Sequence, residues 1–141
     1  MVLPLPESPV SLLLISAQPS DLSSLTTILA GSNWKLKVRR NCDDVLALLH
    51  HYHLPVIICD DESTHGSWQS LLDDLAVLPA PPALIVSSRL ADERLWGEVL
   101  NLGGYDVLPT PFDRTEVLRV CFLAWQFWER QCDRMRLQAA G

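Results

Sequence analysis

The sequence lacks the short motifs that mark common enzyme classes. Its 6 glycines form no phosphate-cradling loop, and neither a GxSxG nucleophile turn nor an HExxH zinc motif occurs. The 4 cysteines include no CxxC pair, and His50, His51 and His53 have no acid or cysteine at ligand spacing. We therefore expect solvated histidines, no resident metal and no enzymatic activity.

Basic charge and long apolar runs are also scarce. Residues 1–112 carry 6 basic and 13 acidic side chains, which argues against direct binding of nucleic acid. The apolar stretch at residues 10–15 is too short to cross a bilayer, and no basic segment of a secretory signal precedes it. We expect a cytoplasmic protein with reduced thiols that binds neither nucleic acid nor membrane.

The chain has the length of one domain. At 141 residues, of which 48% are hydrophobic, it is long enough to bury one core and too short for two ordinary domains. Residues 1–9 contain three prolines and form an irregular lead-in. The predicted domain covers residues 10–128, and residues 129–141 extend the last helix into a tail.

Short apolar runs alternate with helical patterns along the whole domain. Strands are predicted at residues 11–16, 34–39, 55–59, 83–86 and 105–108, and a helical pattern follows each of them. Runs that are apolar throughout are typical of strands buried on both faces, which occur in parallel sheets covered by helices. The pattern predicts an α/β fold with a doubly wound five-stranded parallel sheet.

A second helix is predicted between the second and third strands. Asn41 is predicted to cap its first turn, and the helix is expected to end within residues 50–53. The side chains expected to face the core are Val45, Leu46, Leu48 and Leu49.

Polar residues stand where the predicted strands end. In doubly wound sheets, functional groups collect at the carboxyl edge of the strands. The polar residues at these ends are Ser16, Asp60, Asp61, Glu62, Ser87, Ser88 and Thr110.

These strand ends resemble those of the receiver domains of bacterial two-component response regulators, over about residues 10–128. PVIICD (55–60) is similar to the family's third strand and its phospho-accepting aspartate, here Asp60. LIVSS (84–88) is similar to the fourth strand, whose final Ser or Thr contacts the phosphoryl group. NLGGYDVLPTPF (101–112) resembles the stretch of glycine, fifth strand and Lys-Pro-Phe. The resemblance implies a flavodoxin-like (βα)5 receiver architecture, with a cis peptide bond before Pro111.

The sequence departs from the family at several functional positions. Ser16 and Ala17 replace the acidic pair that helps to hold Mg²⁺, Thr110 replaces the lysine, and Val107 replaces the aromatic switch residue. Mg²⁺ prefers carboxylate and water oxygens, and phosphoryl transfer needs its charge neutralised. We expect no Mg²⁺ cofactor. Candidate metal ligands are Asp60, Asp61 and Glu62, of which the last two are expected to line the rim.

Three functions are open at this point. The first is a pseudo-receiver, meaning a degenerate receiver domain that acts in phosphorelay signalling by protein–protein contact with weak or no phosphorylation. The second is a working phospho-receiver that a histidine kinase modifies on Asp60, and the third is a flavodoxin-like small-ligand binder or enzyme. Ser88 and Thr110 either contact an anion or only hydrogen-bond to Asp60 and the loop backbone. Expected partners are a histidine kinase, a downstream signalling protein or a second copy of the chain.

The aromatic residues divide into two groups. Trp68 and Trp125 are expected in the core, because aromatics at helical spacing are usually buried. Trp96, Phe127 and Trp128 are candidates for an interface on the face formed by the fourth helix, fifth strand and fifth helix, which is a common contact face of receiver domains.

Overall fold

The computed structural model describes residues 5–64 and 67–140. Five strands alternate with five helices, as the sequence predicts. The elements are β1 (Val10–Ile15), α1 (Pro19–Leu29), β2 (Trp34–Arg39), α2 (Val45–His51), β3 (Val56–Asp60), α3 (Trp68–Leu75), β4 (Ala83–Ser88), α4 (Glu93–Asn101), β5 (Asp106–Pro109) and α5 (Arg114–Ala140).

The strands form one parallel sheet in the order β2-β1-β3-β4-β5. Alternate side chains of each strand point to opposite faces, so that Leu12 and Leu14 pack with α1 and α5 while Leu13 and Ile15 pack with α2, α3 and α4. Both faces are covered, which explains why the central strands are apolar throughout. The predicted doubly wound α/β fold is confirmed.

The start of α2 differs from the prediction. Asn41 does not cap the helix, because its Oδ1 accepts a hydrogen bond from the Asp43 amide at 2.9 Å and the helix begins only at Val45. Asp44, in the left-handed region with φ of 62°, turns the chain between the two. Val45 and Leu48 form the buried stripe, whereas Leu46 is 37% exposed because it lies about 100° around the helix from Val45. The prediction that Leu46 faces the core is wrong.

Helix α5 extends well beyond the residues that it buries against the sheet. It runs for 27 residues without a break at the predicted domain boundary after residue 128. Its buried side chains lie between Val117 and Ala124. No helix in residues 5–64 and 67–140 combines the length and apolarity needed to cross a bilayer.

Gly104 precedes β5 at a point where the backbone approaches α4 closely. A Cβ at this position would overlap Cγ1 of the buried Val99, whereas a Cβ at Gly97, within α4, would meet nothing within 4 Å. We expect Gly104→Ala to lower the free energy of unfolding by about 1–3 kcal/mol through overpacking. Gly97→Ala should raise it by about 0.5–1 kcal/mol, since alanine is the better helix former. Urea unfolding of both variants tests this, and equal effects would contradict it.

Candidate functional site

The predicted polar residues meet at the carboxyl edge of the sheet. Asp60 is in register with Ser87 of β4, and Ser88 is in register with Pro109, which precedes Thr110. β1 and β3 are neighbours at the point where the strand order reverses, which is the usual position of a site in this type of fold.

Asp60 is the most deeply buried carboxylate of this edge, with 1% of its surface exposed. Its Oδ2 accepts hydrogen bonds from the Ser63 amide at 2.9 Å and from the Ser63 hydroxyl. Its Oδ1 is buried and has no hydrogen-bond partner among the described residues. Burial raises the pKa of Asp60, and the nearby Asp21 and Glu62 act in the same direction, while the Ser63 bonds oppose the shift. The carboxyl group is thus shifted towards its protonated form.

Asp21 is a site residue that sequence reasoning did not identify. It lies in the first turn of α1, is 7% exposed, and accepts a hydrogen bond from the Ser16 hydroxyl at 2.9 Å. Burial raises its pKa, while the Ser16 bond opposes that shift. The signal was present in the sequence, because an acid in the first turn after a β-strand is placed beside the end of that strand. Asp21 therefore places a carboxylate beside Ser16, whereas Ala17 is exposed.

Glu62 accepts hydrogen bonds from the end of β4 and from the residue that follows it. Its Oε1 accepts hydrogen bonds from the Ser88 hydroxyl and from the Arg89 amide, both at 3.0 Å. The Ser88 hydroxyl in turn accepts from the Leu90 amide at 3.0 Å. Ser88 therefore contacts a carboxylate and the loop backbone, and the carboxylate is that of Glu62, not Asp60.

Asp61 is engaged elsewhere. Its Oδ1 accepts a hydrogen bond from the indole nitrogen of Trp68 at 2.7 Å, and its amide donates to the Ser87 carbonyl at 2.8 Å. Asp61 and Glu62 are both half-buried, in agreement with the predicted place at the rim. Their side chains diverge towards α3 and β4, because successive residues leaving a strand point in different directions.

Thr110 and Arg89 border an open cavity of about 280 Å³ at this edge. The Thr110 amide donates to the Ser88 carbonyl at 3.0 Å, and the peptide bond before Pro111 is cis, as the resemblance implied. Arg89 brings a positive charge that lowers the pKa of Asp21. Both lysines of the chain lie on β2. The full lining is Gln18, Ser20, Asp21, Ser24, Glu62, Arg89, Thr110, Pro111 and Phe112.

The carboxylates at this edge that could contribute to a Mg²⁺ site make hydrogen bonds within the chain. Within residues 5–64 and 67–140, no three His, Cys, Asp or Glu side chains converge on one metal position. Asp21 and Glu62 each direct an oxygen to a serine hydroxyl. Mg²⁺ takes oxygen ligands in near-octahedral geometry, so a second carboxylate beside Asp60 would become available only if Asp21 or Glu62 released its serine.

The remaining predicted positions lie outside the cavity. Val107 is 1% exposed and packs between the sheet and helices α2 to α4. His50, His51 and His53 are exposed, as expected for solvated histidines, and His65 lies outside the described residues.

The three candidate interface residues do not form one patch. Trp96 is 44% exposed near the start of α4, whereas Phe127 packs on Tyr105, just before β5, with ring centroids 5.5 Å apart. Trp128 is half-buried and donates its indole N–H to the Ala80 carbonyl at 3.2 Å, which ties it to the loop before β4. The prediction that Trp128 belongs to the α4–β5–α5 face is wrong, because its indole is directed to the connection between α3 and β4. Trp68 is buried in the core, as predicted, whereas Trp125 is half-buried and packs against the edge of the core.

Comparison with known proteins adds the fold family. No protein-family description and no curated protein sequence matches the chain. Solved structures do match, and the signal receiver domain of an HD domain-containing protein from Pseudomonas fluorescens Pf-5 superposes with a TM-score of 0.77. That match has 22% identity and covers 94% of this chain and 98% of the other. This chain has the receiver-domain fold.

Two further receiver-fold structures agree with this assignment. A response regulator from Thermotoga maritima matches with a TM-score of 0.74 at 13% identity, over 84% of this chain and 98% of its own. A chemotaxis response regulator of Vibrio cholerae matches with a TM-score of 0.71 at 13% identity, over 83% and 99%. In this fold Asp60 and Ser88 are the last residues of the third and fourth strands, and Thr110 directly follows the fifth.

Proposed function

We propose that this protein is a receiver-fold signalling domain of the two-component type that acts by contact with a protein partner, without enzymatic activity and without dependence on Mg²⁺ or phosphorylation of Asp60. The hydrogen bonds from the Ser88 hydroxyl and the Arg89 amide to one oxygen of Glu62 carry this proposal. A hydroxyl and an amide converging on one oxygen are a donor pair suited to a phosphoryl oxygen. Glu62 supplies that anion from within the chain.

The state of Asp60 supports the same conclusion. A carboxyl group must be ionised to attack phosphorus, and burial raises the pKa of Asp60. Ser16 and Ala17 bring no carboxylate for a metal, and the hydroxyl of Thr110 brings no positive charge for a phosphoaspartate. Each of these features disfavours phosphoryl transfer to Asp60.

Exposed apolar side chains on α4 support a role in protein binding. Trp96 and Leu100 are 44% and 52% exposed and lie four residues apart, on one face of the helix. Contiguous exposed apolar surface is typical of interaction sites. We infer that a cytoplasmic histidine kinase or downstream signalling protein binds this face, with a homodimer as the alternative.

One observation favours a second function, that of a working phospho-receiver. A buried acceptor such as Oδ1 of Asp60, which lacks a partner within the described part of the chain, often marks the place of an ion or ligand. In this alternative a histidine kinase phosphorylates Asp60, and the metal draws its further oxygens from Asp21 or Glu62 after they release their serines.

Exposure to acetyl phosphate with Mg²⁺ distinguishes the two functions. We expect no phosphoaspartate in the intact-mass spectrum of the wild-type protein, because the site lacks both a metal donor set and a cation at position 110. Asp60→Asn is the negative control. Mg²⁺-dependent phosphorylation that disappears in Asp60→Asn would overturn the proposal in favour of the phospho-receiver. Phosphorylation gained only in Glu62→Ala would support it by identifying Glu62 as the block.

A further inference from the structure

Two cysteines lie side by side beneath the end of β3. The Sγ atoms of Cys42 and Cys59 are 3.9 Å apart, and all four cysteines are free thiols. Cys59 is fully buried and directly precedes Asp60, whereas Cys42 is half-buried in the connection between β2 and α2. The thiols come from segments 17 residues apart and are brought together by the packing of α2 under the sheet.

We propose that Cys42 and Cys59 form a reversible oxidative modification site, in which hydrogen peroxide converts the two thiols to a disulfide. The Cys42 thiolate attacks one peroxide oxygen, the O–O bond breaks, and the hydroxide released takes a proton to leave as water, giving a sulfenic acid. The Cys59 thiol passes its proton to the sulfenic hydroxyl as its sulfur attacks the Cys42 sulfur, so that the S–O bond breaks and a second water leaves. Two thiols lose two electrons in total, and the peroxide gains them.

The surroundings assign the two roles. Cys42 is the thiol that solvent reaches, and a hydrogen bond from Cys59 lowers its pKa, against the opposing effects of burial and of Asp43. That same contact, together with burial, raises the pKa of Cys59, so that Cys42 is the more acidic of the two thiols. Reactive cysteines are those with accessible thiolate character, so Cys42 is the site of attack and Cys59 the resolving thiol.

Closing the bond requires the sulfurs to approach from 3.9 Å to about 2.05 Å. Cys59 is fixed in a central strand, so residues 40–44 must move to bring the Cys42 sulfur closer. Asp43 and Asp44 in that segment are exposed, and Asp44 has a left-handed backbone. The disulfide would tether this connection to the strand that carries Asp60 and draw the Cys59 sulfur from the Thr64 hydroxyl, 3.9 Å away. The proposal is independent of whether Asp60 is phosphorylated.

The test is oxidation of the full chain with hydrogen peroxide, followed by alkylation of free thiols and peptide mapping. We expect a mass loss of about 2 Da from the chain, the mass of two hydrogen atoms, a single peptide pair joined through Cys42 and Cys59, and reversal by dithiothreitol. Cys42→Ser should abolish the linked pair, and Cys132→Ser should leave it unchanged, because Cys132 lies far along α5. Circular dichroism before oxidation checks that both variants are folded.

Three results would overturn the proposal. In the first, Cys42 and Cys59 are both fully alkylated after exposure of the wild-type protein to peroxide. In the second, Cys42 proceeds to sulfinic acid while Cys59 is still a free thiol. In the third, oxidation gives only dimers linked between chains through Cys132. All three results are measured on the wild-type protein, so the conclusion does not depend on how well a variant folds.

Discussion

Replacement of Trp68 by alanine is expected to lower the free energy of unfolding by about 3–5 kcal/mol. The side chain is 1% exposed and is among the largest that are fully buried. It packs with Leu71, Leu72 and Leu75 of the same helix against the sheet. Alanine would leave a cavity beneath β3 and would also remove the hydrogen bond to Asp61.

Two further variants separate packing from the hydrogen bond. Trp68→Phe keeps most of the apolar volume and should lose about 1–2 kcal/mol for the unpaired Asp61 acceptor and the smaller ring. Trp96→Ala, at a 44% exposed position on α4, should change stability by less than about 1 kcal/mol. Urea unfolding followed by circular dichroism gives the three values. If Trp68→Ala proved no worse than Trp96→Ala, the packing of α3 on the sheet described above would be wrong.

Asp60→Asn is expected to stabilise the protein by about 1–3 kcal/mol at neutral pH, because it removes a buried charge with an unpartnered oxygen. The direction of the pH dependence of this gain follows from proton binding by Asp60. Burial raises the pKa of Asp60, so the folded state binds the proton more tightly than the unfolded state. The contribution of Asp60 to stability therefore falls as the pH rises from its unfolded pKa through its folded pKa. The gain in Asp60→Asn should be full above this window and should diminish below it.

Urea unfolding at about pH 7 and at about pH 4, near the pKa of an unperturbed aspartate, tests this dependence. Asp73→Asn is the matched control, because Asp73 is exposed on α3 and its substitution should alter stability by less than about 0.5 kcal/mol. A loss of stability in Asp60→Asn at neutral pH, or an equal gain at both pH values, would contradict the proposal that the charge of Asp60 destabilises the folded protein.

The fold could be predicted because its local signals agree with one another. The apolar run at residues 55–59 begins with proline and is followed by acids. Asp92 precedes α4 and is a residue type favoured at helix starts, where it accepts a hydrogen bond from the Leu95 amide at 2.9 Å. The start of α2 was predicted wrongly because Asp44 takes a left-handed backbone conformation. Aspartate adopts this conformation only occasionally, so its presence in the sequence does not predict it.

The candidate site was predictable in position but not in its internal contacts. Strand ends placed Asp60, Ser88 and Thr110 at one edge, since parallel strands share a carboxyl end. The contact of Asp21 with Ser16 could have been anticipated, because Asp21 lies in the first turn after β1. The contact of Glu62 with Ser88 depends on how the loop after β3 folds back, and sequence spacing carries no such information. Trp128 was misplaced for a similar reason, because its direction depends on the exact rotation of α5.

The length of helix α5 beyond Trp128 determines how far a small tilt would move its C-terminal end. Trp128 is hydrogen-bonded to the loop before β4, and twelve helical residues follow it. At 1.5 Å per residue they form a rod of about 18 Å. A tilt of about 10° at Trp128 would therefore sweep the far end of this rod through about 3 Å. A small displacement at the contact between Trp128 and Ala80 would therefore become a larger one at Ala140.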